Sequence, residues 1–299
     1  MKSFSESERF CEFTFQNNGP YYFVSSSGKD TPILFKDRVD FEFAMNVIAQ
    51  VIFKFNQLYI IAFAVMNNHF HFVVSCKDVI LINMFFDALK RRLGRFHPEI
   101  KGTRLDIRPI KDLPSMRNHI VYCHRNGYVA NPSYTPYSYP WGTGCFYFGY
   151  FTSQMTLSEL KVDKKRSMFR GRDPKLPQEW NIINGYVSPT SFCKIEMGMA
   201  MFRNAHHYFY EISKNVESYS GIATEVDNEE YLTDNEAFAL VMRIVRENYG
   251  VGGIGELGRA QVLDIARTMH FKYHSSNGQL RRMLRLSQYE VDSIFPLGK

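Results

Sequence analysis

Residues 58–75 constrain the fold more than any other stretch: they are rich in β-branched and aromatic side chains and are broken only by Asn67-Asn68. Asparagine tolerates left-handed backbone angles, so the pair predicts a tight turn, with strands over 58–65 and 69–75 on either side of it. Side chains alternate across a strand. His69 and His71 then emerge on one face of the returning strand, close enough to grip one metal ion, while Phe70 points into the core. The chain has nine histidines, so the spacing alone is a weak signal, and a pair of structural histidines in a hairpin is the competing reading.

The flanking sequence extends the hairpin into a domain. Residues 21–26 read as a first strand, ended by Ser27-Gly28. Residues 40–55 place Phe43, Val47, Ile48, Val51 and Ile52 at helical spacing. In residues 80–96, Ile82, Phe85, Phe86, Leu89 and Leu93 face inward and Lys90, Arg91, Arg92 and Arg95 largely outward. Residues 105–108 read as a short fourth strand, and 114–125 as a helix with Pro114 in its first turn, where a missing N–H costs nothing. The order β-α-β-β-α-β followed by a helix is the ferredoxin-like split arrangement, so the expected fold class is α+β: an antiparallel sheet with helices on one face.

Three regions are expected: a catalytic domain over 1–150, a basic linker and helical insert over 151–230, and a helical region over 231–299. In the second, residues 161–175 are basic and polar, prolines interrupt it, and a helix is expected near 193–209. In the third, Thr233-Asp234-Asn235-Glu236 and Ser287-Gln288-Tyr289-Glu290 are capping-box sequences. Helices are expected from the first box to Gly250, over 255–269 and 278–284, and from the second box to before Pro296. The two short helices flanked by Arg281, Arg282 and Arg285 have the proportions of a helix-turn-helix, with a plain helical bundle the alternative.

Charge and cysteine usage narrow the function classes. No stretch is long and apolar enough for a membrane span, and the polar N-terminus lacks a secretion signal, so the expectation is a cytoplasmic chain with no membrane partner. Five scattered cysteines without a C-x-x-C pair read as reduced thiols. Net charge is +6, and residues 77–125 alone carry eleven Lys/Arg against five Asp/Glu, which suits a polyanion such as nucleic acid, although a solvated basic face is the plain alternative.

Tyr122 and Asn126 lie four residues apart and share a helical face. A tyrosine hydroxyl can attack a DNA phosphodiester, forming a phosphotyrosine and releasing a 3′-hydroxyl. Help is needed, because the phenol is protonated near neutral pH and the phosphate is anionic. A divalent ion held by His69 and His71, with Asn126 as third ligand, would polarise the phosphate, and this mixed nitrogen and oxygen set suits Mg²⁺ or Mn²⁺.

At these residues the chain resembles a known family. Met66-Asn67-Asn68-His69-Phe70-His71-Phe72 is similar to the M-P-N-H-x-H segment of the REP-associated tyrosine transposases, single-tyrosine members of the HUH endonucleases. Tyr122-Cys123-His124-Arg125-Asn126 resembles their Y-I-x-x-N-P helix, and Tyr137-Ser138-Tyr139-Pro140-Trp141 their Y-x-Y-P-W-S-S segment. The resemblance covers most of residues 20–145. It implies an enzyme that cuts and rejoins single-stranded DNA beside hairpin-forming palindromes, as monomer or homodimer, with Tyr122 as nucleophile and His69, His71 and Asn126 as metal ligands. This chain departs from the pattern in Asn67 for proline, Gly127 for proline, and Gly142-Thr143 for the two serines. None of these removes a reacting atom.

The expected DNA contacts are Lys90, Arg91, Arg92, Arg95, Arg117, Arg125, Arg281 and Arg282, mostly to phosphates, with Phe146, Tyr147 and Phe148 as candidates for stacking on unpaired bases. Two other functions fit parts of the pattern. A histidine-triad nucleotide hydrolase begins its motif as His69-Phe70-His71 does, but Val73 stands at its third histidine. A non-catalytic hairpin-binding protein would keep the fold without the chemistry.

Overall fold

The computed structural model describes the whole chain except Met1 and residues 27–30, 131–133, 136–137, 150–154, 172–173, 214–233, 272, 274, 276 and 296–299. It divides into two compact units, Met1–Lys214 and Asn215–Lys299. The segment after 151, read from sequence as a linker and insert, thus belongs as far as Lys214 to the same unit as the sheet.

The first unit opens with a helix absent from the sequence reading, α1 (Lys2–Asn18), followed by β1 (Tyr21–Ser26), α2 (Arg38–Ile52), β2 (Leu58–Val65), β3 (Phe70–Cys76), α3 (Val79–Leu93), β4 (Leu105–Ile110) and α4 (Leu113–Ala130). The four strands form one antiparallel sheet in the order β2-β3-β1-β4. Aspartates start both crossover helices: Asp37 accepts from the Asp40 amide at 3.0 Å and Asp78 from the Ile80 amide at 2.8 Å. These caps begin the helices two and one residues before the positions expected from apolar spacing.

The alternation of β3 sorts the unit into layers. Phe72 packs edge-on against Phe85 and Phe86 of α3, with centroids 5.9 and 5.2 Å away, while His71 on the other face meets Tyr122 of α4 at 5.2 Å. The sheet therefore carries helices on both faces, which corrects the one-face expectation. The reason is that β3 is buried throughout, so each face needs its own apolar cover. Truncating a fully buried ring such as Phe72 would cost about 3–5 kcal/mol.

The Asn67-Asn68 turn forms, but neither residue takes a positive φ. It is a four-residue connection, Val65 pairing with Phe70 and the Met66 amide donating to the His69 carbonyl at 2.8 Å, so left-handed angles are not required.

Edge strand β2 is sealed by chain rather than left open. The Val65 amide donates to the Trp141 carbonyl at 2.7 Å, and the Thr143 amide to the Phe63 carbonyl at 3.0 Å. Tyr139 donates to the Val65 carbonyl at 2.6 Å, and Tyr147 to that of Ile61 at 2.9 Å, where a register shift bulges the strand. Gly142 is needed here, because a Cβ would stand 2.5 Å from the Phe63 carbonyl oxygen.

Further along the unit, β5 (Met155–Thr156), β6 (Asn181–Ile183) and β7 (Tyr186–Val187) make a small antiparallel sheet, with α5 (Val162–Met168) between β5 and β6. Their core of Leu157, Met168, Phe169, Leu176, Ile182 and Val187 closes on Ala49 of α2. The helix expected near 193–209 is two, α6 (Ile195–Met199) and α7 (Ala205–Ser213).

The second unit is helical: α8 (Asp234–Tyr249), α9 (Arg259–Phe271), α10 (Asn277–Leu284) and α11 (Gln288–Ile294). Val241, Val245, Ile265, Met269, Leu280 and Val291 lie in its shared core. Gly250, at φ +67°, ends α8 as expected, and the Ser287/Glu290 capping box starts α11. The first capping box lies partly outside the described residues, since Thr233 is among those not described. Among the described residues no helix is long and apolar enough to cross a membrane.

Candidate metal and tyrosine site

The hairpin brings His69 and His71 together at its turn end. Their Nε2 atoms lie 2.9 Å apart, with ring planes at 83°. Asn68 settles which nitrogen of His69 carries the proton. Its Nδ2 donates to the Thr31 carbonyl at 3.0 Å, a group that can only accept, so its Oδ1 faces His69 Nδ1 at 2.6 Å and accepts from it. The proton on Nδ1 leaves the Nε2 lone pair of His69 directed at His71, whose Nε2–H donates to it. Burial pushes His69 down to about 3 and His71 well below its ordinary value, the second helped by the neighbouring ring, so both imidazoles are neutral.

Helix α4 supplies the rest. Tyr122 packs edge-on to His71 and to Phe23, and its side chain is only 1% exposed. Asn126, also buried, donates Nδ2 to the Tyr122 carbonyl at 2.9 Å, which orients the amide. Across the sheet, Phe23 is opposite Val73 and Ser25 opposite His71. Because His119 sits over Phe23 and Tyr122 over both Phe23 and His71, the helix runs toward the His69 end of β3, the direction in which Asn126 lies.

A divalent ion was expected on His69, His71 and Asn126. Two nitrogens at about 2.1 Å from one ion and at right angles stand about 3 Å apart, close to the His69–His71 spacing. Both rings are neutral and one already presents a lone pair, so the donor pair fits. Among the described residues no three His, Cys, Asp or Glu side chains form a group able to hold a metal, so a third protein ligand here has to be the carboxamide.

Two residues missed from sequence belong to this site. Asn68 orients His69, a role signalled only by its adjacency. His119 shares the α4 face of Tyr122 and Asn126; its ring lies 4.8 Å from Phe23 and its Nδ1 is 2.7 Å from the Ser115 carbonyl oxygen. His124, inside the tyrosine segment, faces away from the pair and bridges the Tyr208 hydroxyl at 2.9 Å and Thr143 Oγ1 at 3.0 Å; burial lowers it to about 3.

The expected DNA contacts divide. Lys90, Arg91, Arg92 and Arg95 belong to α3 or the residues just after it, on the sheet face opposite Tyr122. Arg91 and Arg95 are exposed, Lys90 pairs with Asp87 at 3.3 Å, and Arg92 donates to the Phe169 carbonyl at 2.6 Å. Arg117 is a correction. Its guanidinium is buried, donating to both Glu8 carboxylate oxygens at 2.8 and 3.1 Å and to the Met201 carbonyl at 2.6 Å, so it is committed to an internal ion pair. Arg125 is buried on α4. Arg281 and Arg282 are exposed on α10 in the second unit. Phe146 and Tyr147 are core residues, and Phe148 packs on Tyr208 at 5.3 Å, so the triplet offers no stacking platform. The five cysteines are free.

No protein-family model, curated protein or solved structure matches the chain.

Proposed function

We propose that the first unit is a ferredoxin-like HUH domain that cuts and rejoins single-stranded DNA beside hairpins through Tyr122. The observation that carries the reading is the convergence of His69 Nε2 and His71 Nε2 at 2.9 Å on the sheet face that Tyr122 covers. The strand order β2-β3-β1-β4 supports it, because the split β-α-β-β-α-β arrangement brings β1 and β3, which carry that face, to the centre of the sheet.

In this reading the Tyr122 oxygen attacks phosphorus, the P–O3′ bond breaks, and the phenol proton ends on the released 3′-hydroxyl. His69, His71 and Asn126 are the residues that would hold Mg²⁺ or Mn²⁺. When bound there, the ion supplies positive charge against the charge developing at the phosphate. Asn68 keeps the His69 proton on Nδ1, so no proton has to leave that ring before it ligates.

One observation favours a second reading, a hairpin-binding protein without chemistry: Tyr122 is almost wholly buried, so attack needs the cover over α4 to move. The test is a labelled single-stranded hairpin incubated with the chain and Mn²⁺. The catalytic reading expects a covalent adduct that Tyr122→Phe abolishes while leaving binding intact. Salt-sensitive hairpin binding with no adduct from the unaltered chain selects the second reading.

A further inference from the structure

A cleft of about 470 Å³ opens beside the His69 turn, within the size range of small-ligand sites. Phe35, Phe41, Tyr134 and Trp141 line it, together with Lys36 and Asn67. Phe41 and Trp141 are stacked, their centroids 5.1 Å apart and their planes 17° from parallel, and Phe41 remains partly exposed. Lys36 is exposed. The cleft shares walls with the site, since Asn67 is two residues from His69 and Tyr139, which also lines it, packs on Gly127 next to Asn126.

Asn67 is the unexplained element. Its carbonyl accepts from the Leu34 and Phe35 amides at 2.9 and 2.8 Å, which fixes its backbone to the cleft wall. Its side-chain Oδ1 is buried with no hydrogen-bond partner. Such orphan acceptors are rare in folded proteins and call for a reason. Proline, the residue expected here from the resemblance, would have no such group.

We propose that this cleft holds one unpaired nucleotide of the substrate strand. Its base stacks on the Phe41–Trp141 pair, its Watson–Crick edge meets the Asn67 carboxamide, and its phosphate lies near Lys36. A carboxamide pairs twice with an edge that carries an exocyclic amine beside a ring acceptor, so adenine and cytosine fit while thymine and guanine, which carry an N–H there, do not. Stacking on aromatic rings tolerates any base, so the choice falls to Asn67. The proposal rests on the DNA reading above and adds to it a position next to the hairpin where base identity matters.

The test uses the full chain and a hairpin oligonucleotide with single-stranded flanks, in which 2-aminopurine is moved through each flank position. Stacking on Phe41 quenches its fluorescence at one position, and Phe41→Leu, which keeps the apolar contact, removes that quench. At the same position, replacing adenine by thymine weakens binding roughly tenfold in the unaltered chain and hardly at all in Asn67→Ala. If the hairpin binds but no position shows a Phe41-dependent quench, or the base preference survives Asn67→Ala, the cleft assignment is overturned and the DNA reading stands. If the unaltered chain does not bind the hairpin, both fall.

Discussion

Asn68 Oδ1 accepts the Nδ1 proton of His69 at 2.6 Å, and that contact decides which nitrogen of the imidazole faces His71. The asparagine is itself held by the Thr31 carbonyl, so the orientation is imposed by the turn and not by the histidines.

Asn68→Ala is therefore expected to weaken Mn²⁺ binding by about 10–100-fold, the usual effect of removing a group that orients a ligand, while the fold persists. Titration calorimetry measures this. Nitrogen NMR of the metal-free chain gives an independent readout: His69 should carry its proton on Nδ1. A proton on Nε2 in the unaltered chain would contradict the assignment.

Gly127→Ala tests the close approach of α4 to the sealing segment. The added Cβ would stand 2.0 Å from Cγ of Tyr139. Alanine favours a helix over glycine by about 1 kcal/mol, yet overpacking should win and leave a net loss of about 1–3 kcal/mol in chemical denaturation. In a Tyr139→Ala background the same change should be far milder, because the two positions are in contact. Additive losses would show that the clash is not the cause.

Thr143 occupies a position where the resemblance leads one to expect serine, and the structure shows the hydroxyl to be the part in use. Its Oγ1 accepts from the Phe63 amide at 2.9 Å and meets His124 Nε2 at 3.0 Å. Thr143→Val keeps the shape but strands a buried N–H, for an expected loss of about 1–3 kcal/mol, whereas Thr143→Ser should cost under about 1 kcal/mol. Equal losses in thermal unfolding would remove the hydroxyl from the account.

The Glu8–Arg117 pair predicts an acid-sensitive contribution. The bond from Arg117 holds the Glu8 carboxyl below its ordinary value, against the opposing effect of burial. A carboxyl whose folded value is depressed stabilises the fold above its unfolded value and loses that contribution as pH falls through the folded one. Stability measured downward from about pH 5 should therefore fall less steeply in Glu8→Gln than in the unaltered chain. Since Glu8 is about a third exposed, the difference near neutral pH should be modest, about 1–2 kcal/mol. Parallel pH profiles would show that the pair does not report on folding.

Much of the first unit was legible because its signals are local. Alternation over 58–75 and helical spacing in 40–55 and 80–96 each follow from which side chains must leave water, and the observed strands and helices match them to within a few residues. The failures share a different cause. Helix α1 has Phe10 and Phe13 exposed, so its sequence shows no clean apolar stripe. The small sheet of β5, β6 and β7 has strands of two or three residues, too short for any periodicity to show.

The same division runs through the site. Sequence determined that His69 and His71 share a face, and that Tyr122 and Asn126 share another, because strand and helix periods fix those relations before any folding occurs. Only the tertiary structure decided that the two faces meet, through α4 crossing the sheet face that carries His71. It also decided that Arg117 is spent on Glu8, that α3 carries its basic residues to the opposite face, and that Asn68 fixes the His69 proton. These depend on contacts between residues far apart in the chain or on a turn whose backbone angles differ from the expected ones. Periodicity cannot report such contacts, because packing and desolvation act on whichever surfaces the finished fold brings together.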